Sequence, residues 1–370
     1  MRRTNATLAA LSFLMLALPL ALSGCGSDDS TQEHPSIGGD YGAFFGIAPN
    51  ETPNDADFAR MTAGGIGSYH LQLSWQTVES TKGEYDWSVY DAEFRQLARN
   101  GIEPIPYVIG TPAAYEKSSS IPPTNDAEAF DAWADFLKEA TQRYGPDGAL
   151  WQSFASSDPD IPPKPVHVWE IWNEPNSSVF WEPAPDPDAY AELLKRSSRV
   201  IKAADPAAEV MTAGMFTTPQ SDGAIVATDF LQEVYSHRGV ADVVDIVGIH
   251  PYGPTVGDVI KQVDDTHALI ERVGDDASLW VTEIGWGSDP TSTNQLAKTP
   301  DKQAELLQKS FELMLARREE LGLRGIIWFT WRDVDTGVEC GWCSNAGLVD
   351  GDRDSKPNWL AFTEITGGSP

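Results

Sequence analysis

The middle of the chain reads Val168-Trp169-Glu170-Ile171-Trp172-Asn173-Glu174-Pro175. Its first five residues have the alternation and the aromatic and β-branched content of a buried strand, and an acidic residue follows closely. A second stretch has the same design, since Leu279-Trp280-Val281-Thr282 leads into Glu283-Ile284-Gly285-Trp286. A glutamate at the end of a buried strand is costly unless its carboxyl group is paired or functional. Both stretches therefore predict buried strands that deliver a carboxyl group at their ends.

The rest of the chain alternates between short apolar runs and longer amphipathic stretches. Eight runs are predicted strands: Ala43–Ile47, Gly67–Leu73, Glu103–Val108, Val166–Trp172, Glu209–Ala213, Val244–Ile249, Leu279–Glu283 and Gly325–Thr330. Predicted helices between them include Asp86–Ala98, Asp126–Tyr144, Pro187–Ala204, Val256–Val273 and Asp301–Leu321. This order predicts an α/β fold, a single (β/α)8 TIM barrel over residues 41–370. A doubly wound sheet also alternates, but Gly46-Ile47-Ala48-Pro49 is not the glycine-rich turn that usually follows its first strand.

The composition narrows the class of protein further. The 370 residues are 41% hydrophobic and 22% charged, which is typical of a soluble globular chain and excludes disorder, collagen and a multi-span membrane protein. Acidic residues outnumber Lys and Arg by 55 to 26, so phosphate backbones are repelled and nucleic acid is not an expected partner. The 13 Trp, 14 Phe and 10 Tyr suit both core packing and stacking on the flat faces of sugars.

The N-terminus has the features of a targeting segment. Arg2 and Arg3 precede an apolar run, Leu8–Leu22, that is too short to span a membrane as a stable helix. The run ends in Leu22-Ser23-Gly24-Cys25, which resembles the lipobox of bacterial lipoproteins, whose cysteine is lipidated. We therefore expect a signal peptide over 1–24, lipidation of Cys25, and a flexible tether over 25–40. The domain would then sit in the bacterial cell envelope, attached to a membrane through its N-terminal lipid only. The alternative is a plain secretory signal with an incidental cysteine.

The two other cysteines, Cys340 and Cys343, are separated by Gly341 and Trp342. Outside the cytoplasm, two close cysteines most often form a disulfide. A thioredoxin-like redox pair would follow a strand and begin a helix, whereas these lie in a Gly- and Asp-rich stretch. A metal site would need further ligands, and the histidines are scattered. We predict a structural disulfide.

The two strand-end glutamates indicate the chemistry. Active sites of (β/α)8 barrels lie at the carboxyl ends of the strands, and Glu174 and Glu283 would face each other there from strands four and seven. Glycoside hydrolysis needs such a pair, one carboxyl to protonate the leaving oxygen and another to attack the anomeric carbon. An oligosaccharide or polysaccharide is the expected substrate, with no cofactor and no metal, and the protein is expected to be a monomer.

At these motifs the chain resembles the retaining glycoside hydrolases of clan A, nearest to families 39 and 5. The resemblance rests on Trp172-Asn173-Glu174-Pro175 and Thr282-Glu283-Ile284-Gly285-Trp286, and it extends to the stretches 75–79, 83–87, 250–252, 347–349 and 356–362. It implies that Glu174 is the general acid/base and Glu283 the nucleophile. It also implies that Asn173 holds the sugar 2-hydroxyl, and that Tyr252 or His250 hydrogen-bonds the nucleophile or the substrate.

One position departs from that family pattern. These families often carry an arginine on strand two that supports the nucleophile, and Ser68-Tyr69-His70-Leu71-Gln72 has none, so His70 is a candidate substitute. Glu170 is interpreted as a solvated or ion-paired structural acid, with a second buried acid of the site as the alternative. His167 is expected to be a hydrogen-bonded residue of the barrel wall on the opposite face of its strand.

Several tryptophans are candidates for sugar stacking. Trp331 follows strand eight, where clan A enzymes keep a stacking platform, so the resemblance implies that role for it. Trp75, Trp181 and Trp286 also lie at strand ends or in loops, with core packing as an equal alternative. The acidic stretch from Arg332-Asp333 to Asp354 does not have the spacing of an EF-hand, so a solvated loop is favoured over a Ca²⁺ site.

Three classes of function stay open at this stage. A surface-anchored retaining glycosidase accounts for the lipobox, the barrel and both glutamates. A solute-binding lipoprotein would have two lobes, and a silent polysaccharide-binding barrel would lack one of the glutamates. Insertions at Gly110–Asn125 and Pro146–Pro165 are expected to wall a cleft, which favours endo action on a polysaccharide, and the resemblance implies β-linkages.

Overall fold

The structure is a computed structural model that describes residues 41–217, 223–335 and 340–370. The predicted signal peptide (1–24), the Cys25 lipidation site and the tether (25–40) lie outside the described residues.

Eight parallel strands form a closed barrel in which each strand pairs with the next and β8 pairs with β1. The strands are β1 (Phe45–Ile47), β2 (Ser68–Ser74), β3 (Glu103–Ile109), β4 (Val168–Ile171), β5 (Glu209–Thr212), β6 (Ile246–Ile249), β7 (Ser278–Ile284) and β8 (Leu323–Trp328). The prediction of a single (β/α)8 barrel is confirmed. The closed order β1 to β8 excludes a doubly wound open sheet.

Helices connect the strands and surround the barrel: α1 (Asp55–Ala63), α2 (Trp75–Val78), α3 (Ser88–Asn100), α4 (Ala127–Tyr144), α5 (Ala149–Ser157), α6 (Pro187–Ala204), α7 (Ala227–Ser236), α8 (Val256–Val273), α9 (Pro300–Ala316) and α10 (Pro357–Thr366). Their starts follow from local chemistry. Asp126 and Asp186 accept the N–H groups of Ala129 and Ala189, which would otherwise be unpaired in the first turn. None of the helices in the described part of the chain is long and apolar enough to cross a membrane.

Six of the eight strands end one or two residues from the predicted position, and two of these differences bear on the site. β4 stops at Ile171 because Trp172 has φ of 74°, a left-handed conformation that cannot continue a strand. β8 ends at Trp328, two residues before the predicted end at Thr330. Helix α9 ends at Ala316, five residues before the predicted Leu321. These shifts change which side chains lie at the end of each strand.

The interior of the barrel is filled by one side-chain layer that is apolar and one that is polar. The apolar layer is a buried cluster from seven of the strands or strand ends: Ala48, Ile105, Val168, Met211, Ile246, Trp280 and Ile327. Strand alternation places His70, Tyr107 and Glu170 two residues further along β2, β3 and β4 than Ser68, Ile105 and Val168. This polar layer lies closer to the carboxyl ends of the strands. A larger core packs between the outside of the barrel and the helices.

Candidate active site

A pocket of about 380 Å³ opens at the carboxyl ends of the strands. Its wall comes from β3, from β7 and from the segments that follow β4, β5, β6 and β8: Tyr107, Asn173, Glu174, Ser177, Val179, Phe180, Phe216, Ala224, Tyr252, Glu283, Phe329, Cys340, Trp342 and Cys343. Glu174, Glu283, Asn173 and Tyr252 therefore lie together, as predicted.

Glu174 is held in place by an unusual backbone and two hydrogen bonds. Its φ is 43°, and its N–H donates to the carbonyl oxygen of Gly214 at 3.0 Å. A left-handed backbone is costly for a residue with a Cβ, and such strain concentrates at functional sites. The carboxyl oxygen Oε1 lies 2.7 Å from Nδ1 of His250, and the side chain is only 4% exposed.

Glu283 enters the pocket through an irregularity in β7. Trp280 points into the barrel, so regular alternation would turn the side chain of residue 283 outward. The pairing of β7 with β8 shifts register between Val281 and Ile284, and this shift redirects Glu283. Oε2 of Glu283 accepts a hydrogen bond of 2.7 Å from the hydroxyl of Tyr252, and the side chain is 15% exposed.

The two carboxyl groups are close together. An oxygen of Glu174 and an oxygen of Glu283 lie within 4.8 Å of each other. Retaining glycosidases keep their two carboxyl groups about 5–5.5 Å apart, whereas inverting enzymes separate them by about 6.5–9.5 Å to admit a water molecule. The pair in this pocket has the shorter spacing.

The surroundings treat the two carboxyls differently. Burial, together with the nearby charge of Glu170, holds the pKa of Glu174 well above the ordinary value of a glutamate. Burial and Glu174 also raise the pKa of Glu283, but His250, His70 and the Tyr252 hydroxyl oppose the rise. Glu174 is therefore the group that keeps its proton to higher pH, as a general acid must.

His250 is buried beneath the pocket and does not line it. Burial lowers the pKa of His250 in spite of the charges of Glu283 and Glu170, so the ring is neutral near pH 7. Its Nδ1 lies 3.7 Å from Oε2 of Glu283, against 2.7 Å from Oε1 of Glu174. The resemblance implied a partner of the nucleophile or the substrate. His250 instead hydrogen-bonds the other glutamate, and Tyr252 bonds Glu283.

Two groups of three side chains in the described part of the chain could hold a metal ion, namely Glu174, His250 and Glu283, and on the surface Asp188, Glu233 and His237. The closest pair of each is at hydrogen-bond length, 2.7 Å for Glu174 to His250 and 2.9 Å for Asp188 to His237. Two ligands of one tetrahedral zinc would lie about 3.3 Å apart, given metal–ligand distances near 2.0 Å. We assign both pairs as hydrogen bonds.

Comparison with known proteins agrees with this geometry. The family model described as glycosyl hydrolase catalytic core matches residues 152–352, more than half of the chain, and the match contains both Glu174 and Glu283. The chain belongs to the glycosyl hydrolase catalytic core family. No curated protein is significantly similar to it in sequence.

Solved structures show which glycosyl hydrolases share the fold of this family member. A family 39 glycoside hydrolase from the gut symbiont Bacteroides cellulosilyticus WH2 is 22% identical, with a TM-score of 0.66 over 89% of this chain and 64% of that one. A monomeric beta-xylosidase from Caulobacter crescentus CB15 is 21% identical, with a TM-score of 0.59 over 87% and 68%. Xylanase 10B from Thermotoga maritima is 15% identical, with a TM-score of 0.62 over 90% and 97%. The chain thus spans less than two thirds of the family 39 protein, and identities this low establish the fold alone.

Four tryptophans predicted as sugar-stacking candidates are core residues of this glycosyl hydrolase. Trp331, Trp75, Trp181 and Trp286 are at most 1% exposed, and none lines the pocket. Trp331 follows β8 and packs edge-on against Trp359 of α10. Trp75 and Trp286 bond Glu79 and the Gly253 carbonyl through their indole N–H groups. Their burial contradicts the stacking role predicted for Trp331, and for Trp75, Trp181 and Trp286 it favours the alternative of core packing.

Other aromatic side chains line the pocket instead of those tryptophans. Phe180, Phe216, Phe329 and Trp342 line the pocket and follow β4, β5 and β8. The signal that could have revealed them was position after a strand end. Trp342 belongs to the Cys340–Cys343 stretch, which was interpreted only as a disulfide, and the three phenylalanines belong to none of the quoted motifs. Trp342 also packs against Tyr252, with ring centroids 5.0 Å apart.

The predicted disulfide between Cys340 and Cys343 is present and forms part of the pocket wall. It brackets Trp342, whose ring contacts both Tyr252 and Phe329. The cross-link therefore restrains the segment that carries an aromatic wall of the site.

Two insertions were expected to wall the cleft, but only one of them lies at the end of the barrel where the pocket opens. Gly110–Asn125 follows β3, and its Ser118 and Ser120 hydrogen-bond Glu182 and the Val179 carbonyl in the loop after β4. Pro146–Pro165 contains α5 and leads into β4, so it lies at the amino ends of the strands. The prediction for this second segment is wrong.

Beneath the pocket, Glu170 is paired but not solvated, and its burial next to the site fits the alternative interpretation, a second buried acid. Its side chain and that of His70 are fully buried, with Oε2 of Glu170 2.7 Å from Nε2 of His70. His167, expected in the barrel wall, is exposed, because it precedes β4 at the amino end of the barrel. Asn173 lines the pocket, and its Oδ1 has no hydrogen-bond partner among the described residues.

Proposed function

We propose that this glycosyl hydrolase family member is a retaining glycosidase that acts by double displacement, with Glu283 as nucleophile and Glu174 as general acid/base. The observation that carries the proposal is the pair of buried carboxyls within 4.8 Å of each other at the ends of β4 and β7. Their unequal surroundings support the division of roles, since Glu174 keeps a proton more strongly than Glu283.

In the first step, a carboxylate oxygen of Glu283 forms a bond to the anomeric carbon while the bond to the leaving oxygen breaks. The proton of Glu174 passes to that oxygen, and a glycosyl ester of Glu283 results. In the second step, Glu174, now ionised, takes a proton from water as the water oxygen attacks the anomeric carbon. Glu283 leaves as a carboxylate. Two inversions retain the anomeric configuration.

The residues around the pair suit this sequence of steps. The neutral ring of His250 keeps Oε1 of Glu174 occupied, which leaves Oε2 for the leaving oxygen and for water. The hydroxyl of Tyr252 stabilises the ionised form of Glu283. We assign to Asn173 the sugar 2-hydroxyl, in keeping with its place beside Glu174 on the pocket wall.

We propose a β-linked oligosaccharide or polysaccharide as the substrate, cleaved within the chain. Support comes from aromatic side chains on three different loops of the pocket wall, since flat sugar faces stack on such rings. Incubation with β-glucans, xylans, mannans, galactans and bacterial exopolysaccharides tests it. A ladder of products from one polymer is expected, and release of monosaccharide alone would show exo action instead.

Stereochemistry tests the proposed mechanism directly. Proton NMR of the first products from an active substrate should show the anomer of the substrate, before mutarotation mixes the two forms. The opposite anomer as first product would overturn double displacement. The closed barrel already excludes a two-lobed solute-binding protein, and a silent binding barrel would give no product at all.

We further propose that the enzyme is anchored to a bacterial membrane by lipid on Cys25, as the Leu22-Ser23-Gly24-Cys25 stretch suggests. Cys25→Ser expressed in a bacterial host should no longer partition with membranes, while Cys340→Ser with Cys343→Ser serves as a matched control that keeps Cys25. Unchanged partitioning of Cys25→Ser would overturn the anchor and leave the glycosidase proposal intact.

A further inference from the structure

The polar layer beneath the pocket contains two ionisable side chains that the double displacement does not use. We propose that His70 and Glu170 form a buried ion pair that positions Glu174 and sets the charge balance of the two catalytic carboxyls. The inference rests on the proposed glycosidase function and assigns two positioning residues to it.

The geometry of the pair is that of a short, dry contact. Nε2 of His70 and Oε2 of Glu170 are 2.7 Å apart, and both side chains are 0% exposed. They reach each other across β3, which lies between β2 and β4 in the barrel. The ring of His70 also packs on that of Tyr107 at 4.7 Å between centroids, and Tyr107 lines the pocket directly above.

Glu170 connects the pair to Glu174 through one glycine. Its second oxygen, Oε1, accepts the N–H of Gly214 at 2.6 Å. The carbonyl of the same Gly214 accepts the N–H of Glu174 at 3.0 Å. Gly214 thus holds Glu174 in its left-handed backbone conformation while Glu170 holds Gly214.

The same glycine also makes room for His250. A Cβ built on Gly214 would lie 2.1 Å from Nε2 of His250, closer than any real contact. The ring can therefore approach Oε1 of Glu174 only because residue 214 has no side chain. One buried carboxylate, through one backbone amide, sets the position of both Glu174 and its hydrogen-bond partner.

The charges of the pair act on the carboxyls above it. The ionisable groups that face His70 are Glu170 on β4, Glu283 on β7, Tyr107 on β3 and His250 after β6. Burial lowers the pKa of His70, whereas the charge and hydrogen bond of Glu170 and the charge of Glu283 raise it. The second effect is larger, so the pKa of His70 lies above its ordinary value. His70 in turn lowers the pKa of Glu283, while Glu170 raises that of Glu174. The pair therefore widens the pH range in which one carboxyl is ionised and the other protonated.

Because the pair is dry, neither charge survives without the other. A lone buried carboxylate takes up a proton, and a lone buried imidazolium loses one. His70→Gln, Glu170→Gln and the double variant should therefore all remove both charges. The acid limb of kcat/KM should move up in pH and the alkaline limb down, each by about one pH unit, and equally in all three variants.

The experiment measures kcat and KM against pH for an aryl glycoside in these three variants. We expect a narrower bell-shaped dependence of kcat/KM on pH and a lower kcat. KM should be almost unchanged, since neither side chain lines the pocket. Glu79→Gln is the matched control, because Glu79 is also a buried glutamate but bonds Trp75, Gly83 and Tyr115 instead. Its limbs should stay in place. The proposal would be overturned if the acid and alkaline limbs of kcat/KM did not move in the three variants. It would also be overturned if the shifts of the two single variants added up in the double variant.

A second measurement does not depend on activity or on the folding of a single variant. The ¹⁵N spectrum of histidine-labelled wild-type protein, with signals assigned from His70→Gln or the double variant, should show His70 as an imidazolium at pH 7 and His250 as a neutral ring. A neutral His70 at pH 7 would overturn the ion pair. An inactive wild-type protein with a charged His70 would instead count against the proposed glycosidase.

Discussion

The ends of β4 and β7 present the same residue type to one pocket in two different ways. Glu174 follows a strand that stops early, has a strained backbone, and is enclosed by His250, Gly214 and the charge of Glu170. Glu283 lies within a strand whose register shift turns it inward, and it keeps a hydroxyl partner and more contact with solvent. In the proposed mechanism it is the environment, and not the residue type, that divides the roles of acid and nucleophile between the two glutamates.

The largest expected effect is at the end of β7. Glu283→Gln removes the nucleophile, so kcat/KM should fall by about 10⁴-fold or more on every substrate, whatever its leaving group. Steady-state rates with aryl glycosides of graded leaving-group ability measure this. A residual rate that rises steeply with leaving-group ability would show that Glu283 is the acid instead, and the comparison between the two strand ends would be reversed.

At the end of β4 the loss should depend on the substrate. Glu174→Ala should lower the rate about 10²- to 10⁴-fold for a poor leaving group and much less in the first step for a good one. Azide needs no general base, so its addition should restore turnover and yield a glycosyl azide of retained configuration. Azide rescue of Glu283→Ala with an inverted product is the matched control. An inverted azide from Glu174→Ala would mean that the roles are exchanged.

A methyl group at Gly214 should disturb Glu174 through His250, and it would also lie 2.5 Å from the Thr282 hydroxyl of β7. Gly214→Ala forces the His250 ring away from Glu174, and we expect kcat to fall by about 10- to 100-fold with little change in KM. Gly257→Ala is the control, because a Cβ there meets only ordinary contacts near the start of α8. Circular dichroism should show both variants folded. If Gly214→Ala has the kcat of the wild-type protein, the contact of His250 with Glu174 does not contribute to catalysis.

The smallest effect is expected for the hydroxyl that serves the β7 side. Tyr252→Phe removes a donor to the ionised form of Glu283, so the pKa of Glu283 rises and the acid limb of kcat/KM moves to higher pH. At the optimum, kcat/KM should fall by about tenfold, as for the loss of one hydrogen bond to a charged group. The alkaline limb, which reports Glu174, should move far less. A larger shift of that limb would show that Tyr252 acts on both carboxyls.

Much of the barrel was predictable because it depends on local pattern. The alternation of apolar runs and amphipathic stretches, with capping residues such as Asp126 and Asp186, predicted the eight strands and the main helices. The carboxyl ends of parallel strands meet at one edge, so the sequence predicts that Glu174 and Glu283 lie together, and the family resemblance adds Asn173 and Tyr252 to them. The Cys340–Cys343 disulfide was predictable because the two cysteines are close in sequence and the protein was expected to lie outside the cytoplasm.

The failures have a common physical origin. A tryptophan after a strand has the same local sequence whether its ring turns to the pocket or to the core, so Trp75, Trp286 and Trp331 could not be told from Trp342. The direction is decided by where the strand stops and by what packs behind it. The left-handed backbone of Trp172 and the early end of β8 are results of tertiary packing.

The sequence by itself determined that this protein is a (β/α)8 barrel with two glutamates at one mouth, since strand periodicity and residue order are local properties. Only the tertiary structure decided how those glutamates differ. The contacts that distinguish them join residues far apart in the chain, such as His70 with Glu170 and His250 with Glu174. Burial and the charges of distant neighbours set a pKa, and neither can be read from the residues adjacent in sequence.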